Sequence, residues 1–388
     1  MGKPYIVHVS ADYPDSAGPN RTPVIKRLVS LVSDTFDQQV YSLTRSTPAL
    51  SSWPWPSPQA RLDDEGTGLC RVNYAAPPRG IHHRRMLLAL GESLAERMAG
   101  GRKPDLIVGH KLTVEGFAVA RAAGLLGVPY ALSIQGNTDA KILAARPDLR
   151  DSLARIFHDA AVVFPFAPWA LARVEALLGQ RQGATHFLPC LTEQDAVLAP
   201  QPGHGLVSAF HLHNYRLKNL PRLADAVRLA QGAEPDLAFT LYGGGDGQTL
   251  ARVRAHCGTA ITMGGHVSGE ELSRRVHAAR GFAMPSLRES FGLVFVEALM
   301  AGTPILYPRG GAVDGWFDGC TFALAVDPRD TSAIASGLLT LHRDEDRLKA
   351  DLAAWQAAGG LARFGRAAIG TTFTRAIEEA IGAGANVP

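Results

Sequence analysis

Cysteine is scarce. Four occur in 388 residues, and no two stand closer than 63 positions. Zinc sites and disulfide frameworks need short or regularly repeated Cys spacings. Cys70, Cys190, Cys257 and Cys320 therefore read as isolated thiols of a reducing compartment. Long apolar runs are missing too: no stretch of 18 residues is uninterrupted by a polar one, and mean hydropathy is +0.01. That excludes a membrane-spanning helix. Charge of one sign is also in short supply. The net charge is +3, too small for a general nucleic-acid binder. No Asp-x-Asp stands at an expected strand end and no His/Cys cluster occurs, so neither a metal site nor a bound cofactor is expected. There is no Ser/Gly linker and no low-complexity block. The opening residues 1–14, MGKPYIVHVSADYP, read as a first strand rather than a secretory leader.

What is present is a globular balance, 46% apolar and 19% charged. Short apolar runs alternate with helical periodicity. Strands are expected over 5–9, 69–73, 106–108, 130–134, 161–164 and 186–188, then over 206–210, 238–242, 261–263, 282–284, 305–307 and 322–326. Helices are expected between them, among them 84–98, 114–126, 219–230, 248–256, 269–279 and 291–301. Buried strands alternating with helices argue for α/β architecture with parallel sheets covered on both faces. The proline- and glycine-bearing segment 189–204 reads as a connection. The expected division is 1–190 and 203–361, two doubly wound Rossmann-like domains, with a helix over 362–388 crossing back to the first.

The most informative block is MPSLRESFGLVFVEALMAGTP at 284–304. Ser290 is placed to cap a helix starting at Phe291, and Gly302 and Pro304 to stop it. That helix is apolar nearly all round, so it is buried. Its one charge, Glu297, requires a partner, because an unpaired buried carboxylate is costly. An internal Arg or Lys and a ligand diol both satisfy that need. Free N–H groups at Phe291, Gly292 and Leu293, with the helix dipole, make an anion site suited to phosphate.

This block resembles the nucleotide-sugar-dependent glycosyltransferases of retaining GT-B type, glycosyltransferase family 4, whose signature is the two glutamates of Glu289-SFGLVFV-Glu297. The resemblance extends over about 205–345 and more faintly over the first half. It implies two domains facing a central cleft and transfer of a sugar from a UDP- or GDP-linked donor, with retention. The acceptor would be a glycan or lipid-linked molecule in bacterial polysaccharide or glycolipid assembly. The donor is a substrate, and no metal is implied. By the same resemblance Glu297 binds ribose, Glu289 the donor sugar and Lys218 the pyrophosphate, with Arg216 the nearest guanidinium. Gly243 and Gly244 in LYGGGDG form the glycine-rich turn, and His266 and Val267 lie beside the base. Gly310 and Gly311, with Asp314, match a double glycine near the donor.

On the acceptor side the resemblance points to Gly18 and Asn20 after the first strand and to His110 as a catalytic histidine at a strand end. It also points to Gln135, Gly136 and Asn137, where many members have His-Gly. Segment 79–103 carries six Arg/Lys and two Glu, net +4, with Met86, Leu87, Leu90 and Leu94 at helical spacing. It is expected to make a peripheral contact with the inner face of a membrane, in an otherwise cytoplasmic enzyme. Two other readings stay open: a sugar-nucleotide epimerase or hydrolase of the same fold, and a non-catalytic glycan-binding relative. The nucleotide, sugar, acceptor and oligomeric state are not determined by the sequence.

Overall fold

Parallel strands hydrogen-bonded on both sides and buried on both faces lie at the centre of each half of the chain. A computed structural model describes residues 2–15, 22–47, 59–62, 68–77, 80, 82–193 and 195–384. The chain divides into two units, Met1–Leu191 with Arg366–Pro388, and Thr192–Gly365.

In the first unit the elements are β1 (Tyr5–Ser10), α1 (Val24–Leu31), β2 (Asp37–Ser46), β3 (Gln59–Leu62), β4 (Leu69–Ala75), α2 (His83–Ala99), β5 (Leu106–Gly109), α3 (Gly116–Leu126), β6 (Tyr130–Ile134), α4 (Asn137–Ala145), α5 (Arg150–Asp159), β7 (Val162–Pro165), α6 (Pro168–Leu178) and β8 (Ala184–Thr185). The sheet order is β3-β4-β2-β1-β5-β6-β7-β8. All pairings are parallel except β3 with β4. The second unit has β9 (Leu206–Ala209), α7 (Leu220–Ala233), β10 (Phe239–Tyr242), α8 (Gly247–Cys257), β11 (Thr262–Gly265), α9 (Gly269–His277), β12 (Gly281–Ala283), α10 (Leu293–Met300), β13 (Ile305–Pro308), β14 (Ala323–Val326), α11 (Thr331–Arg343) and α12 (Glu345–Ala357). Its order is β11-β10-β9-β12-β13-β14, all parallel. Strand order reverses between β1 and β5 in one unit and between β9 and β12 in the other. In open α/β sheets ligands collect at the carboxyl ends of strands at that reversal.

Local chemistry accounts for the helix starts. Asp246, Ser268 and Asp330 each accept a backbone N–H from the first turn of α8, α9 and α11, satisfying donors that the helix cannot pair itself. The last helix, α13 (Arg366–Gly384), belongs to the first unit. Ile369, Phe373, Ala376, Ile377 and Ala380 recur at helical spacing and pack with Ile6, Leu106, Val108 and Phe164. The Phe373 and Phe164 rings lie 5.1 Å apart.

Some expectations change. The ten-residue β2 and helix α4 are additions. The strand expected at 186–188 is shifted to β8, although His186 and Leu188 still donate to Val163 and Pro165 carbonyls at 3.0 and 2.9 Å. Residues after Leu191 are not a free connection: the Leu198 N–H meets the Met300 carbonyl at 2.7 Å and the Gly203 N–H meets Glu345 at 2.6 Å.

Phe373→Ala is expected to cost about 3–5 kcal/mol of unfolding free energy, the range for emptying a packed aromatic site. Arg375→Ala, on the exposed face of α13, should stay within about 0.5 kcal/mol. Denaturant unfolding followed by circular dichroism checks both.

Candidate active site

The reversal point of the second unit is held together by backbone geometry first. After β9 the chain makes a short turn at Leu212–Asn214 and reaches Lys218. Asn219 then adopts φ +61°, a left-handed conformation that Asn tolerates better than most residues. Its buried side-chain amide donates to the Pro285 carbonyl at 3.0 Å and the Pro328 carbonyl at 2.6 Å. The Leu287 N–H meets the Leu217 carbonyl at 2.9 Å. The loops after β9, β12 and β14 are thereby joined.

Across that junction the Lys218 ammonium forms an ion pair with the Glu289 carboxylate. Their side chains are 18% and 16% exposed, so the pair sits in a mostly protein-lined environment yet open on one side. The Ala312 N–H donates to the Glu289 carbonyl at 3.0 Å, and the Gly310 N–H to Asp314 Oδ2 at 2.7 Å. The double-glycine loop thus backs onto Glu289, and Asp314 caps its own loop.

Helix α10 begins two residues later than expected, at Leu293. Gly292 precedes it at φ +73°, and no side chain caps the helix, so the Ser290 cap and the Phe291 start are corrected. A Cβ at Gly292 would stand 2.7 Å from the Phe295 ring and 3.0 Å from Glu289 Cγ. Only glycine fits, and the loop can then aim the first N–H groups of α10 outward. Phe291 itself is buried ahead of the helix. One turn along, Glu297 lines a groove of about 510 Å³ with Val294 and Ala298 of α10 and Leu272 and Val276 of α9.

Gly243 lies at φ +154°, where a Cβ would come within 2.0 Å of the Phe210 carbonyl. A Cβ at Gly244 would stand 3.4 Å from the His266 ring. The glycine-rich turn is therefore a close-approach device that ends in the Asp246 cap of α8. His266 is exposed and Val267 half-buried beside it. Arg216 is turned away from the ion pair: its guanidinium lies 5.5 Å from the Tyr215 ring centre and donates to the Tyr215 hydroxyl. The sequence reading missed the neighbouring His211 and His213, whose rings stack at 5.2 Å. His213 reaches Thr249 Oγ1 at 3.1 Å and lies 3.5 Å from Asp246.

At the reversal point of the first unit, His110 is fully buried rather than presented to an open surface. Gln38 donates its amide to Val29, so its oxygen accepts from His8 Nε2 at 3.0 Å. His8 Nδ1 must then accept from His110 Nε2 at 3.1 Å, which leaves His110 Nδ1 bare and unpartnered among the described residues. Burial lowers the pKa of His8 to about 4 and that of His110 well below its usual value, so both rings are neutral at pH 7. The His110 carbonyl accepts the Gln135 amide at 2.7 Å. Gly136, at φ +98°, packs where a Cβ would meet Trp169 at 2.3 Å, and Asn137 opens α4. Gly18 and Asn20 lie outside the described residues.

Three groups absent from the sequence reading join this place. Lys111 pairs with Asp12 at 2.5 Å. Burial works against its ammonium, but Glu115, Asp12 and Asp139 outweigh that and raise its pKa. Asp139 accepts from the Thr113 N–H and hydroxyl at 2.9 and 2.8 Å. Glu115 accepts the Ala11 N–H at 2.8 Å, and burial pushes its pKa up to about 8.

Among the described residues, one group of side chains has metal-ligand proximity: Glu234, Asp236 and His342. Arg280 donates to His342 Nδ1 at 3.1 Å, so the ring proton sits on Nε2, facing Asp236 at 3.4 Å, and no ring lone pair is left for a metal. Arg343 takes Glu234 at 2.6 Å.

Residues 204–344 match the family described as glycosyl transferases group 1. The match lies within the second unit, Thr192–Gly365. The chain is 35% identical to the D-inositol 3-phosphate glycosyltransferase of Corynebacterium kroppenstedtii over 156 residues, 38% of this chain and 35% of the relative. It is 30% identical to the GDP-mannose-dependent alpha-(1-6)-phosphatidylinositol monomannoside mannosyltransferase of Mycobacterium tuberculosis over 193 residues, 47% of this chain and 45% of the relative. These matches span about a third to a half of those relatives. A D-inositol 3-phosphate glycosyltransferase of Arthrobacter sp. is 27% identical over 79% of this chain and 78% of its own length. Among solved structures, sucrose-phosphate synthase from Thermosynechococcus elongatus superposes with TM-score 0.70 at 20% identity, covering 98% of this chain and 100% of that one. An alpha,alpha-trehalose-phosphate synthase (UDP-forming) from Burkholderia xenovorans gives 0.66 at 13%, covering 96% and 100%. These likenesses show the fold: two Rossmann-like units of GT-B type.

The buried groups of the first unit set a pH profile. His8 is depressed from 6.5 to about 4, so its contribution is present above pH 6.5 and lost as pH falls toward 4. Glu115 is raised from 4.5 to about 8, so its contribution is present below pH 4.5 and lost as pH rises through 8. Unfolding midpoints should fall between pH 7 and pH 9 in the wild type and stay flatter in Glu115→Gln. An unchanged alkaline slope in the variant would remove Glu115 as its cause.

Proposed function

We propose that the chain is a retaining glycosyltransferase, moving a sugar from a nucleotide-sugar to a glycan or lipid-linked acceptor in polysaccharide or glycolipid assembly. The observation that carries this reading is the Lys218–Glu289 pair at the β9/β12 reversal, beside the uncapped start of α10 and one turn from Glu297 in its groove. A pyrophosphate needs a cation and oriented N–H groups; both are there, on loops joined by Asn219.

In this reading the bond from the anomeric carbon to the leaving phosphate oxygen breaks, and the acceptor oxygen bonds to that carbon on the same face. The acceptor proton passes to the departing phosphate. Lys218 and the N–H groups of Leu293 and Val294 offset the charge building on that phosphate. Glu289 turns from Lys218 to the donor-sugar hydroxyls, and Glu297 takes the ribose diol. Gly243 and Gly244 admit the phosphates closely, and the backbone at His266 and Val267 borders the base. Gln135, Gly136 and Asn137 serve the acceptor. His110, buried and neutral, positions Gln135 through its carbonyl rather than meeting substrate. No metal is needed, because the protein supplies the positive charge.

The acceptor is proposed to be a phosphorylated polyol or its lipid, since relatives are named for D-inositol 3-phosphate and for phosphatidylinositol monomannoside. No helix among the described residues is long and apolar enough to cross a membrane. A peripheral contact at the cytoplasmic membrane face would use Arg84 and Arg85, exposed at the start of α2. They border a groove of about 850 Å³ shared with His82 and Arg146. Leu87, Leu90 and Leu94 are buried in the unit, so their helical spacing serves the core and not a lipid contact. Arg79 lies outside the described residues.

Lys218→Ala should weaken nucleoside diphosphate binding about 10- to 100-fold, the loss of a charged hydrogen bond. Glu297→Ala should weaken it too, and Glu289→Ala should mainly lower turnover. Calorimetry and initial rates check these; full affinity and turnover in all three folded variants would remove the site. Activity should survive EDTA, and an absolute divalent-metal requirement would reject these roles. In co-sedimentation, binding should need anionic vesicles and fall with salt. It should drop in the Arg84→Glu/Arg85→Glu double variant; equal sedimentation would reject the membrane contact.

A further inference from the structure

The groove between α9 and α10 has a charge pattern that discriminates among nucleobases. Its walls are apolar, from Leu198, Leu272, Val276 and Val294, and among the described residues no Lys or Arg lines it, while Glu193, Glu270 and Glu297 do. Such a lining repels phosphate, so a nucleotide enters with its pyrophosphate at Lys218 and its nucleoside in the groove. Along α10 the order follows helix geometry. The N–H groups of the first turn lie at one end, and Glu297 comes four residues on from Leu293, about 6 Å at 1.5 Å per residue. The α9 wall with Glu270 stands opposite.

Glu270 stands in the first turn of α9, a place where acidic residues are common. Ser268 already caps α9, accepting from the Glu271 N–H. Glu271 is the acidic residue that the helix uses, pairing with Arg274 at 2.7 Å and Arg275 at 2.6 Å. Among the described residues Glu270 has neither a hydrogen bond nor an ion pair, and it lines the groove. A carboxylate offers acceptors only. Uracil presents one N–H flanked by two carbonyl oxygens, which a carboxylate repels. The pairing edges of adenine and cytosine each set an amino group beside a bare ring nitrogen. Guanine alone presents two adjacent donors, a ring N–H and an amino group, matching both carboxylate oxygens.

We propose that Glu270 selects guanine, making the donor a guanosine-diphosphate sugar. This inference rests on the reading of the groove as the donor-nucleotide site given above. Glu270 then accepts the guanine N1–H and amino hydrogens while Glu297 accepts from the ribose. Charge-assisted pairing of that kind is stronger than a neutral hydrogen bond, and a base with mismatched edges forfeits it.

The test is calorimetric binding of GDP, UDP, ADP and CDP to the full chain and to Glu270→Gln, Glu270→Ala and Lys218→Ala. GDP should bind the wild type at least tenfold more tightly than the others. In both Glu270 variants the GDP-to-UDP ratio should collapse to within about threefold, with thermal midpoints unchanged because Glu270 is exposed and unpaired. Lys218→Ala should weaken GDP and UDP alike. UDP binding as tightly as GDP, or a GDP preference that persists in both Glu270 variants, overturns the inference while leaving the donor site in place. Failure of the wild type to bind any of the four removes the donor site itself.

Discussion

The Lys218–Glu289 ion pair is the constraint around which the second unit is arranged. Two opposite charges in a mostly buried place are tolerable together and costly apart: removing one partner of a buried pair costs about 3–5 kcal/mol. In the free protein each therefore keeps the other in position. The backbone enforces the meeting. Asn219 is left-handed so that its amide can hold the Pro285 and Pro328 carbonyls, which brings the Lys218 loop against the Glu289 loop. Gly292 is left-handed so that α10 can begin beside Glu289 without a side chain between them. Ala312, itself at φ +54°, closes on the Glu289 carbonyl from behind. Strained or rare conformations collected around one ion pair suit a site built to exchange that pair for a ligand.

The first unit treats charge differently. Its reversal point holds groups that are kept neutral or fully compensated: two buried histidines, Glu115, and Lys111 among Asp12, Glu115 and Asp139. Such groups fix strand ends and loop starts rather than waiting for a phosphate. His83 extends the arrangement outward by bonding the Thr113 carbonyl at 2.9 Å, and Thr113 holds Asp139. The basic groove at the start of α2 is thus tied by hydrogen bonds to the loop that carries Lys111 and Glu115.

The sequence was most legible where a position has one physical solution. The all-apolar helix with Glu297 as its single charge had to be buried and had to give that carboxylate a destination, and the alternating apolar runs had to be parallel strands. It was least legible where identity and environment part. His110 stands at a strand end like a catalytic residue, yet His8, eight residues from the start, buries and neutralises it; only the fold brings them together. Leu87, Leu90 and Leu94 have the spacing of an insertable face and also of a core face, and packing against α3 decides for the core. The polar strand DQQVYSLTRS has too little apolar character to read as β2, because its place between β1 and β4 is created by its neighbours. Asn219 left one readable sign, an Asn directly before a helix, but the two carbonyls that it joins lie 66 and 109 residues away.

The most direct test of the ion pair as a ligand-exchangeable gate is the affinity of Glu289→Gln for a nucleoside diphosphate that carries no sugar. If Glu289 holds Lys218 in the free protein and releases it to pyrophosphate, removing the carboxylate charge frees the ammonium in advance. Calorimetry should then show the variant binding the diphosphate several-fold more tightly than the wild type, although transfer is slower. Weaker binding in a folded Glu289→Gln would contradict the account, because it would mean that Lys218 and Glu289 are not competing partners.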